Sequence, residues 1–216
     1  MEARSARKLT LVEKQAYYRA SGMSPALARR YFREFAGART ILDVGCGTGD
    51  FGRLRPSPGI IINGVDIDAG AVERASRHER AVRVDLDASP LPYVDASFDA
   101  VLAKDIFEHV QDPGHLAREV YRVTRRGGVI VASVVMARPQ RVWADYTHLR
   151  GFTRESARLL LEDAGFAVEA IWRMGGVPLS DRLGFMDLVP HLLRVPLFDA
   201  LWGSSWELRA RKGGVA

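Results

Sequence analysis

The densest chemical signal in the 216-residue chain is Ile41-Leu42-Asp43-Val44-Gly45-Cys46-Gly47-Thr48-Gly49-Asp50-Phe51. A largely apolar segment runs there into three glycines within five positions. Glycine has no Cβ, so such a loop turns tightly and lets a ligand approach the backbone, with the amides of the next helix close by. Gly47, Gly49 and Gly52 also satisfy the G-x-G-x-x-G spacing of dinucleotide-binding loops. Two carboxylates sharpen the pattern. Asp43 sits inside the apolar segment, where an acid buried without a partner is costly. Asp66 ends a second apolar run, Gly64-Val65-Asp66-Ile67-Asp68, where a carboxylate can accept both hydroxyls of a ribose. Together they imply a ribose-bearing ligand lying across strand ends.

A second chemical segment is Trp143-Ala144-Asp145-Tyr146-Thr147-His148-Leu149-Arg150-Gly151-Phe152-Thr153. Imidazole, with an ordinary pKa of about 6.5, suits proton acceptance at neutral pH. His148 is therefore the candidate base and Asp145, three residues earlier, the candidate for orienting it. An equal alternative is that Asp145, Thr147 and His148 cap and lock the loop before a helix at Thr153. His109 reads as structural, Cys46 as a small buried residue and Asp68 as a helix cap. No metal site is expected, and a single cysteine excludes an intramolecular disulfide or a cysteine-based metal cluster.

The elements that must position these groups alternate along the chain. Thr40–Val44, Ile60–Val65, Val82–Val84, Ala100–Ala103 and Val129–Val135 read as strands, with Ala69–His78 and His115–Val123 as helices between them. Parallel strands need such crossovers, so the pattern predicts a parallel sheet. Thr153–Ala164 reads as an amphipathic helix ending at Gly165, followed by strands at Ala167–Trp172 and Ser205–Arg211. Thr10–Ala36 reads as helical, interrupted at residues 21–25, with Ser24 and Pro25 as N-cap and first helical residue. Between the last two strands, residues 174–203 form an apolar insertion, with Trp172, Phe185, Met186, Leu188, Leu192 and Phe198 and a helix-like piece near Phe185–Leu193. It reads as a lid over an aromatic or lipid-like acceptor, or equally as ordinary packing or a dimer surface; a peripheral membrane contact through this segment with Arg182 and Arg194 is the weaker reading.

Hydrophobic residues make up 47% and charged residues 26%, values of a globular chain that exclude disorder and collagen-like repeats. The longest mostly apolar run, residues 129–137, is far short of a membrane span. Behind its basic residues the N-terminal MEARSARKLT has no apolar segment, so a cytoplasmic location is expected. The net charge of +5 is uneven: nine basic and three acidic residues fall in residues 1–40, eleven and fourteen in residues 41–136. The basic flank reads first as a solvated face. One domain is expected, with residues 1–37 as a helical cap, 38–136 as the cofactor-binding core, and 137–216 as the acceptor-side loop, insertion and last strands.

With Val84-Asp85-Leu86-Asp87-Ala88, Leu91-Pro92-Tyr93 and Ser97-Phe98-Asp99 added, the stretch from Ile41 to Val135 resembles the class I S-adenosylmethionine-dependent methyltransferases, in particular their type-11 group. The resemblance implies an α/β, Rossmann-like doubly wound sheet of seven strands with an antiparallel last strand. It also implies that Asp43, Gly45, Gly47 and Gly49 hold the methionine part of S-adenosylmethionine. Asp66, with Ile67 beside it, would bind the ribose. Asp87 and Ala88 would meet the adenine, with Asp85 two residues away able to exchange roles with Asp87. Leu102-Ala103-Lys104-Asp105-Ile106-Phe107-Glu108-His109-Val110 resembles the family's fourth-strand stretch, whose backbone at Ala103 and Lys104 would flank the cofactor; Lys104 departs from the small or apolar residues usual there.

The expected activity is methyl transfer to oxygen, nitrogen or carbon of a small-molecule acceptor, with S-adenosylhomocysteine as product. Nucleic acid is not the expected acceptor. Amine methylation of bases uses an Asn/Asp-Pro-Pro-aromatic motif where this chain has Ala103-Lys104-Asp105-Ile106, and carbon-5 pyrimidine chemistry needs a cysteine nucleophile, whereas Cys46 lies in the glycine loop. No integral membrane association is expected, and a homodimer is left open. One rival is a short-chain NAD-dependent oxidoreductase, but no Lys has a Tyr four residues before it. The other is a methyltransferase fold that binds a protein or RNA without turnover.

Overall fold

The computed structural model describes residues 22–175, 188–192 and 194–213. In chain order it contains α1 (Pro25–Glu34), β1 (Thr40–Val44), α2 (Asp50–Arg53), β2 (Ile61–Asp66), α3 (Ala69–Ala75), β3 (Arg80–Arg83), β4 (Phe98–Lys104), α4 (Pro113–Val123), β5 (Thr124–Val135), α5 (Pro139–Val142), α6 (Arg154–Asp163), β6 (Phe166–Gly175), α7 (Val189–Leu192), α8 (Pro196–Trp202) and β7 (Gly203–Lys212). The helical reading of residues 10–21 and that of most of the insertion, residues 176–187 with Leu193, lie outside the described residues.

The strands form one seven-stranded sheet in the order β3-β2-β1-β4-β5-β7-β6. The pairs among β1 to β5 are parallel, whereas β7 runs antiparallel to both β5 and β6. All seven expected strands are present. β5 begins five residues earlier than its apolar run, because Thr124 pairs with Phe98 before residues 125–128 loop out and pairing resumes at Ala100 and Val129.

Helix starts follow from local chemistry. Ser24 Oγ accepts from the Leu27 amide at 3.2 Å with Pro25 first in α1, and the Asp112 carboxylate accepts from the His115 amide at 2.8 Å with Pro113 first in α4. At α6, Thr153 and Ser156 form a reciprocal capping box. Each cap satisfies amides that have no partner within the helix.

The two faces of the sheet bury different sets of residues. Leu42, Val101, Ile130 and Leu208 face α4 and α6, meeting Leu116, Val120, Ala157 and Leu161. Ile41, Ala100, Leu102 and Val131 face the other way, against Tyr31 and Phe35 of α1 and its end, and Phe51 of α2. Alternation along each strand places neighbours on opposite faces.

One polar contact crosses this second face. Tyr31, fully buried, donates its hydroxyl to Glu207 Oε1 on β7 at 2.6 Å. Trp172 Nε1 on β6 donates to Glu207 Oε2 at 2.7 Å, and Arg30 Nε lies 3.9 Å from the same oxygen. Burial pushes the Glu207 carboxyl above its ordinary range, so its donors are needed to hold it. Removing one donor from a buried carboxylate leaves an unsatisfied acceptor costing about 1–3 kcal/mol. Tyr31→Phe should lower the unfolding free energy by that amount in urea titration; an unchanged midpoint would show that α1 does not depend on this bond.

Candidate functional site

The strand order reverses between β1 and β4, and the loops leaving the carboxyl ends of β1, β2 and β4 therefore border one crevice, the usual ligand position of open α/β sheets. The first loop is the glycine segment. Gly45, Gly47 and Gly49 have φ of +77°, +53° and +78°, the left-handed region that side chains disfavour. A Cβ at Gly49 would lie 2.7 Å from the Ala75 Cα of α3, and one at Gly45 would lie 3.0 Å from the Ile106 side chain. Glycine is thus required both by the turn and by the approach of the neighbouring elements. The amides of Gly45 and Cys46 donate to the Val65 carbonyl at 2.8 and 3.0 Å, which binds the loop to β2.

Asp66 completes that junction. Its Oδ2 accepts from the Gly47 amide and its Oδ1 from the Asp68 amide, both at 2.9 Å. Asp68 in turn caps α3 by accepting from the Ala71 amide at 2.8 Å. Asp43 is 5% exposed, and burial, then Glu79 and Asp66, push its carboxyl well above the ordinary range. Burial likewise raises Asp66 and takes Glu79 up to about 7. Glu79, which precedes β3, lies beneath the glycine loop: a Cβ at Gly52 would meet its side chain, and Cys46 and Gly64 are beside it. The three carboxylates thus leave this end of the sheet short of positive charge. A ligand that brings a cationic amine or sulfonium and ribose hydroxyls fits that deficit, as the methionine and ribose parts of S-adenosylmethionine would.

Farther along, Asp87 is exposed and accepts from the Gln111 amide at 2.6 Å, which ties the loop after β3 to the loop after β4. Asp85 accepts from the Asp87 amide at 3.0 Å, and the Ala88 amide donates to the Asp85 carbonyl at 3.2 Å. Ile67 is 56% exposed beside Asp66. Ala103 is buried between Val44 and Ala132, so its side chain belongs to the core and only its backbone can flank a ligand.

Lys104 forms an ion pair with Asp105. Asp105 has φ +52° and also accepts from Ser133 Oγ at 2.6 Å. The Lys104 ammonium and these hydrogen bonds hold the Asp105 carboxyl below its ordinary range despite burial, and Asp105 raises Lys104 in return. Glu108 follows, almost wholly buried and pushed up to about 8 by burial and then by Asp105. Its Oε1 accepts from the Val135 amide at 3.0 Å, while its carbonyl accepts from the Leu149 amide at 2.8 Å.

Glu108 thereby holds the loop of residues 137–152. The loop's base closes where the Ala137 amide donates to the Phe152 carbonyl at 2.8 Å and the Phe152 amide to the Val135 carbonyl at 2.9 Å. Within it, His148 Nδ1 lies 2.7 Å from the Val142 carbonyl and so donates to it. That carbonyl orients the imidazole. Asp145 Oδ1 instead accepts from the amide and hydroxyl of Thr147, at 2.9 and 2.6 Å. His109, from the loop after β4, meets the segment: its Nδ1 is 3.0 Å from Thr147 Oγ1 and its ring is 4.7 Å from that of His148.

Residues 42–132 match a family model described as a methyltransferase domain. Over those residues the chain is similar to class I methyltransferase domains. A 27-O-demethylrifamycin SV methyltransferase of Amycolatopsis mediterranei is 38% identical over 98 residues, covering 41% of this chain and 35% of that protein. The chain spans about half, or less, of the length of the curated relatives it matches. Among solved structures, a SAM-dependent methyltransferase from Archaeoglobus fulgidus aligns with TM-score 0.64 and 25% identity, covering 87% of this chain and 92% of that one. The [4+2]-cyclase SpnF aligns with TM-score 0.66 and 24% identity over 88% and 82%, a likeness of fold.

Several residues that hold the site's surroundings escaped sequence reasoning. Glu207 lies in a strand rich in polar and charged residues, where an acid draws no notice. Glu79 and Glu108 stand at element boundaries where an acid is ordinary, and His109 gave no sign of the segment it meets 38 residues later.

Glu79 yields a pH prediction. Its carboxyl ordinarily titrates near 4.5 and in the fold near 7, so the folded chain binds the extra proton between those values and loses stability as pH rises through them. Glu79→Gln should therefore raise the melting temperature of the cofactor-free protein at pH 8, and the gain should vanish by about pH 4.5. A gain that persists at pH 4.5 would assign it to packing instead of charge.

Proposed function

We propose that this protein transfers the methyl group of S-adenosylmethionine to a small-molecule acceptor. The observation that carries the reading is the cluster of Asp43, Asp66 and Glu79 around a left-handed glycine loop at the sheet's reversal point, in a chain whose residues 42–132 match a methyltransferase domain.

Asp66 would take the ribose hydroxyls, and Asp43 with the loop of Gly45, Gly47 and Gly49 the charged methionine end. Asp87 and Ala88 would border the adenine. Ile67 and the backbone of Ala103 and Lys104 would line the remaining sides. The cofactor supplies a methyl group on a good, neutral leaving group. The chain's tasks are then to align the acceptor atom with that methyl and to keep water out.

A proton acceptor is needed only where the acceptor atom loses a proton, as a hydroxyl does. His148 is the proposed acceptor of that proton: with Nδ1 donating to Val142, its Nε2 carries the lone pair. Asp145 acts through Thr147, which fixes the turn that presents His148. The small-molecule character of the acceptor is carried over from the rifamycin relative and from the absence of base-methylating motifs.

Calorimetric titration with S-adenosylmethionine, S-adenosylhomocysteine and NAD tests the reading. Micromolar binding of the two adenosyl ligands and none of NAD is expected. Silence from both would support a fold used for binding another partner. Asp66→Ala should weaken adenosyl binding at least about tenfold, the scale of one lost charged hydrogen bond. With an acceptor in hand, His148→Ala should lower kcat about 10²- to 10⁴-fold with little change in cofactor affinity; unchanged kcat would remove His148 from proton transfer.

A further inference from the structure

His109, Asp145 and His148 each offer one ligand atom, and the three atoms lie within 4.8 Å of one another. All three side chains are half-buried, and they come from two loops that the sheet brings together, the one after β4 and the one after β5. We infer that His109, Asp145 and His148 form a binding site for one divalent transition-metal ion. The inference stands on this geometry and does not require the methyl-transfer reading.

The hydrogen bonds around the three residues are those a metal site needs. A ligating histidine usually donates its second ring N–H to a carbonyl, carboxylate or similar group, which fixes the tautomer and aims the other nitrogen. His148 does so with the Val142 carbonyl at 2.7 Å. Thr147 supplies the equivalent for His109. Its hydroxyl donates to Asp145 Oδ1 at 2.6 Å and so can accept from His109 Nδ1, 3.0 Å away. Both imidazoles then present Nε2 with a free lone pair. The Thr147 amide also donates to Asp145 Oδ1 at 2.9 Å, holding the carboxylate in the same turn. One threonine thus orients two of the three ligands.

The donor set decides the ion. Two imidazoles and one carboxylate suit zinc, cobalt or ferrous iron better than magnesium or calcium, which prefer all-oxygen sites. Metal bonds of about 2.0–2.2 Å to nitrogen and oxygen suit ligand atoms gathered within 4.8 Å of one another. Three protein ligands leave a position for water or for an acceptor heteroatom, the mark of an open site. The ion would occupy the Nε2 that proton acceptance at His148 needs, so the two roles exclude each other in any one molecule.

The test uses the tag-free full chain, stripped with chelator and dialysed against Zn²⁺ or Co²⁺ without cofactor. One ion per chain is expected, and bound Co²⁺ should give visible absorption stronger than the aqueous ion's. His109→Ala, Asp145→Asn and His148→Ala should each weaken uptake at least about tenfold, and Thr147→Val about tenfold, the scale of losing an orienting partner. His115→Ala with His191→Ala should leave uptake unchanged. A Co²⁺ spectrum indistinguishable from the aqueous ion in the unaltered chain would overturn the inference without any variant having to fold. Uptake insensitive to the three ligand substitutions, in variants with unchanged circular dichroism, would also overturn it. Because no adenosyl ligand is present, this result is independent of whether S-adenosylmethionine binds.

Discussion

A parallel sheet whose strand order reverses cannot be covered at the reversal, and the site of this protein follows from that constraint. The segment leaving β1 passes to the face of Phe51 and Tyr31, and the segment leaving β4 passes to the face of Leu116 and Val120. Their departures part, leaving the carboxyl ends of β1, β2 and β4 open between them. The glycine loop can fill only part of this gap, because it must bend back under α3 and against Ile106 at once. What remains is a crevice bordered by the loops that leave β1, β2 and β4, with Asp43, Asp66 and Glu79 buried at its floor.

The two sides of that crevice are charged in different ways. On the β1–β2 side, Asp43, Asp66 and Glu79 are held by backbone amides or by burial among themselves, and all three are displaced toward their protonated forms. On the β4–β5 side, Asp105 has Lys104 beside it and stays ionised. A ligand spanning both sides gains most if its cationic groups lie toward Asp43, Asp66 and Glu79, where positive charge is lacking.

Most of the sheet was legible because its strands are apolar runs bounded by polar turns, and parallel crossovers leave a period that a single chain displays. Strand ends were less so: β5 gains its first residues from pairing with Phe98, a tertiary effect with no local mark. The cofactor side was legible for a similar reason. Asp43 and the glycines lie within seven residues of one another, and Asp66 ends the next strand. The cluster around residues 137–152 was only half legible. Asp145, Thr147 and His148 share one turn, but His109 joins them from another loop, and Glu207 meets Tyr31 across 176 residues. Contacts of that span are fixed by sheet order, which spacing along the chain does not encode.

The hydrogen bonds around the loop of residues 137–152 fix the orientation of its side chains. Glu108 grips both sides of the loop, its carboxylate on the Val135 amide and its carbonyl on the Leu149 amide. The Met136–Phe152 bridge closes the base. Within this frame Val142 and Thr147 leave His148 and His109 little rotational freedom. The same restraint suits either role proposed for His148, because a proton acceptor and a metal ligand both need the ring aimed by its second nitrogen. Burial holds the Glu108 carboxyl toward its neutral form, and in that form it still accepts from the Val135 amide and ties the loop to β5.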